Sequence, residues 1–182
     1  MNYYTLKICG LVRNLPIVKI GPRYSIASFS LLGDIDLVEV IARELVERIK
    51  YLDFDFLVGP EIKVLPLIYQ MSHLLGQEKY IIARQKILGY MTSPIKSDGR
   101  KPLVLNGPDA DLLKNKKVVV VGDVVSTGRT ILEMENLVNK AGGEIITVAC
   151  VLKQSELQVE IKKPLFYLQK IPLFESKKLH NK

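Results

Sequence analysis

Residues 117–131, KVVVVGDVVSTGRTI, decide how this chain is read. Val118, Val119, Val120 and Val121 form a short, β-branched apolar run between Lys116-Lys117 and Gly122. Such a run reads as a strand buried on both faces, the mark of a central strand in a parallel sheet. Gly122 and Asp123 end it, and Ser126-Thr127-Gly128-Arg129-Thr130 leads into helical spacing through Ile131, Leu132, Met134, Leu137 and Val138. A strand, a small polar loop and a helix in that order aim backbone N–H groups and the positive helix end at one point, which suits a phosphate. The hydroxyls of Ser126, Thr127 and Thr130 add donors, and Gly128 permits close backbone approach. An ordinary strand–helix turn capped by Ser or Thr accounts for the same loop. A P-loop does not: it needs four residues between its glycines and then a lysine. Here five residues separate Gly122 from Gly128, and Arg129 follows.

Composition bounds the rest. A chain of 182 residues is expected to form a single domain with a sizeable core. We divide it into N-terminal strands (1–32), a core (33–153) and a C-terminal extension (154–182). No apolar run approaches the ~18 residues of a membrane span. The opening MNYYTLKICG has no basic segment followed by an apolar core, so neither a signal peptide nor a membrane location is expected. Cys9 and Cys150 both sit among apolar residues in expected strands and read as buried free thiols, which points to the cytoplasm. The net charge of +7 suits an enzyme of polyanionic substrates as well as a nucleic-acid binder. The chain has no RNA-binding aromatic signature and no CxxC pair, so nucleic acid is not the expected partner. The lysine-rich tail 177–182 reads as a frayed, solvated end.

Taken in order, residues 3–9, 15–20 and 24–30 read as three strands with no helix between them, a small antiparallel flap ahead of the main fold. Gly33-Asp34 opens a helix whose apolar stripe is Val38, Ile41, Ala42, Leu45 and Ile49. Residues 54–58 read as a buried strand, 65–75 as a helix and 80–83 as a third buried strand. His73, within that helix, reads as structural. Residues 87–102, interrupted by Gly89, Pro94, Gly99 and Pro102, form a long loop of the kind that is functional or mobile. Ala141-Gly142-Gly143 stops the helix after the phosphate-type loop, and 144–152 reads as the last parallel strand. Residues 164–168 and 171–174 read as a closing strand and tail. The alternation defines an α/β fold, a doubly wound parallel sheet whose ligands sit at the carboxyl ends of its strands.

The run VVVVGDVVSTGRT resembles the PRPP-binding signature of the type I phosphoribosyltransferases over its whole length, except that Gly122 stands at the first of two acidic positions. The resemblance spans residues 11–156 and is nearest to the adenine and other purine phosphoribosyltransferases, through Gly10-Leu11-Val12-Arg13 and Leu15-Pro16-Ile17-Val18 among other phrases. It implies transfer of 5-phosphoribose from PRPP to a purine base, adenine favoured, with release of pyrophosphate, as in purine salvage. Ser126, Thr127, Gly128, Arg129 and Thr130 would cradle the 5-phosphate, and Asp123 would meet the ribose hydroxyls. Glu61, Lys63 and Arg84 match the pyrophosphate-binding loops, although Val64 stands where relatives carry glycine and Lys86 is one place displaced. Lys153 stands where 6-oxopurine relatives hold the purine O6; a solvated lysine is the equal alternative. The loop 87–102 takes the place of the family's flexible catalytic loop and offers Asp98 as its carboxylate.

The resemblance further implies Mg²⁺ bound with PRPP, held by substrate oxygens and water rather than by direct protein ligation, and a homodimer. Two alternatives stay open: a hypoxanthine, guanine or xanthine phosphoribosyltransferase, and a non-catalytic PRPP-sensing regulator of the same fold, for which Gly122 and Val64 speak.

Overall fold

The computed structural model describes residues 2–154 and 160–175. The lysine-rich tail lies outside them. Three antiparallel strands come first: β1 (Tyr3–Ile8), β2 (Leu11–Lys19) and β3 (Tyr24–Ala27). β2 starts earlier than the expected Leu15, because Leu11–Asn14 pair with β1, with Val12 and Asn14 on the exposed face and Leu11 and Arg13 half-buried on the other. Cys9 is a correction: it occupies the β1–β2 turn with φ 49°, half-buried, rather than a strand.

α1 (Ile35–Ile49) is capped by Asp34, whose carboxylate accepts the N–H of Leu37. The same carboxylate takes two hydrogen bonds from Arg13, at 2.6 and 2.9 Å, so the helix start is tied to β2. β4 (Phe56–Pro60), α2 (Leu65–Leu74) and β5 (Ile81–Ala83) follow. Then come β6 (Ile95–Lys96), β7 (Val104–Leu105) and α3 (Gly107–Leu112). β8 (Lys117–Val125), α4 (Arg129–Lys140), β9 (Glu144–Gln154), β10 (Leu165–Ile171) and β11 (Leu173–Glu175) complete the elements of the described residues.

The main sheet is parallel throughout, in the order β10-β9-β8-β4-β5. Val118 to Val121 are all 0% exposed. Val119 and Val121 enter the apolar cluster under α1, α2 and the N-terminal strands, while Val118 and Val120 enter the one under α4. One strand therefore feeds both cores, as the alternation of side chains along a buried central strand requires. His73 lies exposed on α2, its ring stacked on Tyr69.

Two features depart from the sequence reading. β9 is not the last parallel strand, because β10 lies beside it in the same direction, pairing Leu165 with Val148 through Ile171 with Gln154. β10 is an edge strand with half-buried residues and Lys170 in its length, so it lacks the continuous apolar run of an inner strand. β11 then joins the other sheet, giving the order β1-β2-β3-β11, a hood over the carboxyl end of the parallel sheet. Within the loop 87–102, β6 pairs antiparallel with β7, and the residues after it dock on α4.

Candidate active site

The carboxyl ends of β4, β8, β9 and β10 meet the hood around one cavity of about 270 Å³. It is lined by Ile26, Ala27, Ser28 and Phe29 from the end of β3 onward, by Lys63 after β4, and by Asp123, Val124 and Ser126 at the end of β8. Gln154 and Ile171, paired in register at the ends of β9 and β10, complete it. The structure thus brings Asp123, Lys63 and Ser126, distant in sequence, onto one surface. Lys63 Nζ lies 3.9 Å from the Asp123 carboxylate and donates to the carbonyl of Phe29 at 3.3 Å.

Beside the cavity, the loop after β8 turns into α4. Gly128 precedes the first helical residue at φ 79°, a left-handed conformation that side chains resist. Its carbonyl accepts from Ile131 and Leu132, and the N–H of Arg129 faces Thr127 Oγ1 at 3.4 Å. The backbone N–H groups of Thr127, Gly128 and Thr130 take no partner among the described residues. A twelve-residue helix with unpaired amides at its start presents partial positive charge to an anion there.

Glu61 and Arg84 form a second group. Arg84 donates to Glu61 at 3.1 Å, and the N–H of Gln85 donates to the other carboxylate oxygen at 2.9 Å. Burial pushes the Glu61 carboxyl up, but the Gln85 N–H, Arg84 and Lys86 together outweigh it and hold the group below its ordinary range. Glu61 therefore anchors the guanidinium and joins the loop after β4 to the end of β5. Val64 is 2% exposed and has ordinary right-handed backbone (φ −82°), so a bulky residue is unstrained there.

Other expected site residues are not brought together. Lys153 holds its ammonium 5.6 Å over the ring of Tyr167 and does not line the cavity. Asp98 pairs with Lys140 and accepts from Asn136 toward the far end of α4, about two to three turns from the helix start. Gly122 has no left-handed backbone, and a Cβ there would meet Cys150 Cβ at 3.6 Å. That thiol is pushed up to about 12 by burial, so position 122 faces desolvated packing. Sequence reasoning missed Phe29, Val124, Ile171 and Gln154. Only the place of Gln154 beside Lys153, at the carboxyl end of a sheet strand, could have signalled one of them.

The match of the phosphoribosyl transferase domain covers residues 32–181, and the chain belongs to that family. It is 34% identical over 163 residues to a hypoxanthine/guanine phosphoribosyltransferase of a Methanocaldococcus species, covering 84% of this chain and 76% of that one. It is 30% identical over 130 residues to the adenine phosphoribosyltransferase of Petrotoga mobilis, covering 70% and 74%. Among solved structures, the Trypanosoma brucei adenine phosphoribosyltransferase in complex with AMP, pyrophosphate and ribose-5-phosphate has the same fold, with a TM-score of 0.66 at 22% identity over 81% of this chain and 71% of that one. The adenine phosphoribosyltransferase of Thermoanaerobacter pseudethanolicus gives a TM-score of 0.65 at 20% identity, covering 76% and 83%.

Proposed function

We propose that the protein transfers 5-phosphoribose from PRPP to a nitrogen of a purine base, adenine first among them, releasing pyrophosphate. The observation that carries the reading is the joining of Asp123, Lys63 and Ser126 at one hooded cavity, with the unpaired amides of the loop into α4 following directly after Ser126. The reaction develops positive charge on the ribose as pyrophosphate leaves, so the site must hold the departing anion and keep water out. In this reading Ser126, Thr127, Gly128, Arg129 and Thr130 hold the 5-phosphate through amides and hydroxyls. Asp123 accepts from the ribose hydroxyls. Lys63 and Arg84 bind pyrophosphate, with Glu61 fixing Arg84 in place rather than touching the anion, since one carboxylate repels another anion. The hood residues Ile26 to Phe29 cover the base.

Mg²⁺ accompanies PRPP in this reading. Among the described residues no three carboxylate, imidazole or thiol groups cluster, and the single carboxylate Asp123 fits an ion held mostly by phosphate oxygens and water. Bound there, the ion would neutralise the leaving pyrophosphate. Lys153, on which a 6-oxopurine preference rested, stands over Tyr167, and this favours adenine. A homodimer in the cytoplasm completes the reading. No helix among the described residues is long and apolar enough to cross a membrane, both cysteines are free, and Ile35, 81% exposed, borders an apolar groove between α1 and α2 with Tyr69.

Purified protein given PRPP, Mg²⁺ and radiolabelled adenine should form AMP and pyrophosphate. Hypoxanthine, guanine and xanthine assayed in parallel rank the bases. Retained PRPP binding without turnover of any base would make the protein a sensor instead.

A further inference from the structure

We infer that Gln154 is the group that reads the purine's six-membered edge, and that its amide lets the site take both 6-amino and 6-oxo bases. The inference rests on the transferase reading and names the base-recognition element of that site. Gln154 is 9% exposed yet lines the cavity, and its side-chain amide makes no hydrogen bond among the described residues. No fully buried side-chain polar atom among the described residues lacks a partner, so the Gln154 amide opens onto the cavity, and a base that enters and displaces water there must hydrogen-bond it. Its surroundings fit a flat base: Ile26, Ala27, Phe29, Val124 and Ile171 are apolar, and the cavity of about 270 Å³ lies at the small end of ligand sites.

Orientation follows from the chemistry. The base nitrogen that receives the ribose must face the ribose carbon held at Asp123, while Ser126 goes to the 5-phosphate. The strand order sets Lys63 on one side of Asp123 and Gln154 with Ile171 on the other, so a base extending away from Lys63 turns its far edge, position 6 with N1, toward Gln154. The other polar side chains there are Ser28, a single hydroxyl, and Lys63, already directed to Asp123 and the Phe29 carbonyl. An amide offers one acceptor and one donor side by side. Against adenine, its oxygen accepts from the 6-amino group while its N–H donates to N1. Turned by half a rotation, it donates to a 6-oxo group and accepts from N1–H. A lysine could serve only the oxo form, and Lys153 is held over Tyr167 instead.

The test compares wild type with Gln154→Leu and Gln154→Met, which keep the volume and remove the amide. Wild type should use adenine and hypoxanthine with kcat/KM values within about a thousandfold of each other, where a site with fixed polar groups reaches 10⁴ to 10⁵. In whichever variant keeps a wild-type melting temperature, KM for either base should rise about tenfold or more while KM for PRPP stays within twofold. A wild-type preference above a thousandfold overturns the inference, as does a folded variant with unchanged base KM or an equal rise in KM for PRPP. A wild type that turns over neither adenine nor hypoxanthine overturns this inference, and one that turns over none of adenine, hypoxanthine, guanine and xanthine overturns the transferase reading itself.

Discussion

Gly128 shows how one residue ties local geometry to binding. At φ 79° it holds the turn that starts α4, and a side chain there costs about 1–2 kcal/mol from the backbone alone. Gly128→Val would therefore lose PRPP binding and stability together, and could not separate phosphate contact from strain. Ser126→Ala and Thr130→Val leave the turn intact. Each should raise the Kd for PRPP about tenfold, in line with ~1.5 kcal/mol for a charge-assisted hydrogen bond, with the melting temperature unchanged. Calorimetric titration checks this, and unaltered binding in both variants would remove the hydroxyls from the phosphate cradle. Much at this scale was legible in the sequence. The valines, Asp123 and the loop to Thr130 are contiguous, and local pattern marks their strand and helix, although β8 runs through Gly122 and Asp123 to Val125 rather than ending there. Gln154 was legible only by its place beside Lys153 at a strand's carboxyl end, because its residue type does not distinguish a polar group aimed into a cavity from one at a solvated strand end.

Among the elements, the segment after β6 is held by α4. Ser97 donates to Glu133, which also accepts from the N–H of Gly99, while Asp98 pairs with Lys140. The sequence marked 87–102 as a long loop from its glycines and prolines, but could not show these partners, since they lie more than thirty residues away along the chain. Two consequences follow. Asp98 is engaged by a cation at the far end of α4, so it does not serve the base in this conformation. Deletion of 91–98 would also remove β6 and its pairing with β7, disturbing more than a surface loop. Glu133→Ala is the cleaner probe: it should raise hydrogen exchange at residues 97–99 at least tenfold while α4 stays protected. Unchanged exchange would show that the β6 pairing and the Asn136 and Lys140 contacts fix the segment without Glu133.

Across the whole molecule, the hood and the parallel sheet meet through Arg13 and Asp34. The Arg13 guanidinium holds the Asp34 carboxyl below its ordinary range; burial opposes this and the Leu37 N–H reinforces it. A depressed carboxyl stabilises the fold above its unfolded value, about 3.9, and that stabilisation is lost as pH falls through the lower folded value. Asp34→Ala should thus destabilise by about 1–2 kcal/mol near pH 7, chiefly through the lost helix cap. The gap from wild type should shrink below about pH 4. Thermal unfolding across that range measures it, and a gap independent of pH would deny the ion pair any part. The alternating strands and helices made the parallel sheet legible, and residues 164–168 and 171–174 read as a closing strand and tail, yet the pairing of β10 with β9 and of β11 with β3 was hidden, because edge strands need no continuous apolar run.

That return has a mechanical meaning. Ile171 ends β10 and Leu173 begins β11, so Pro172 is the whole span between the two sheets on that side. On the other side, the chain between Ala27 and Ile35 is the second joint. Leu6, Ile8 and Leu15 also sink into one apolar core with α1, α2 and the central strand. The roof over the cavity is therefore a wall built into the frame rather than a free cap, with Arg13 and Asp34 as a bolt beside one of its two joints.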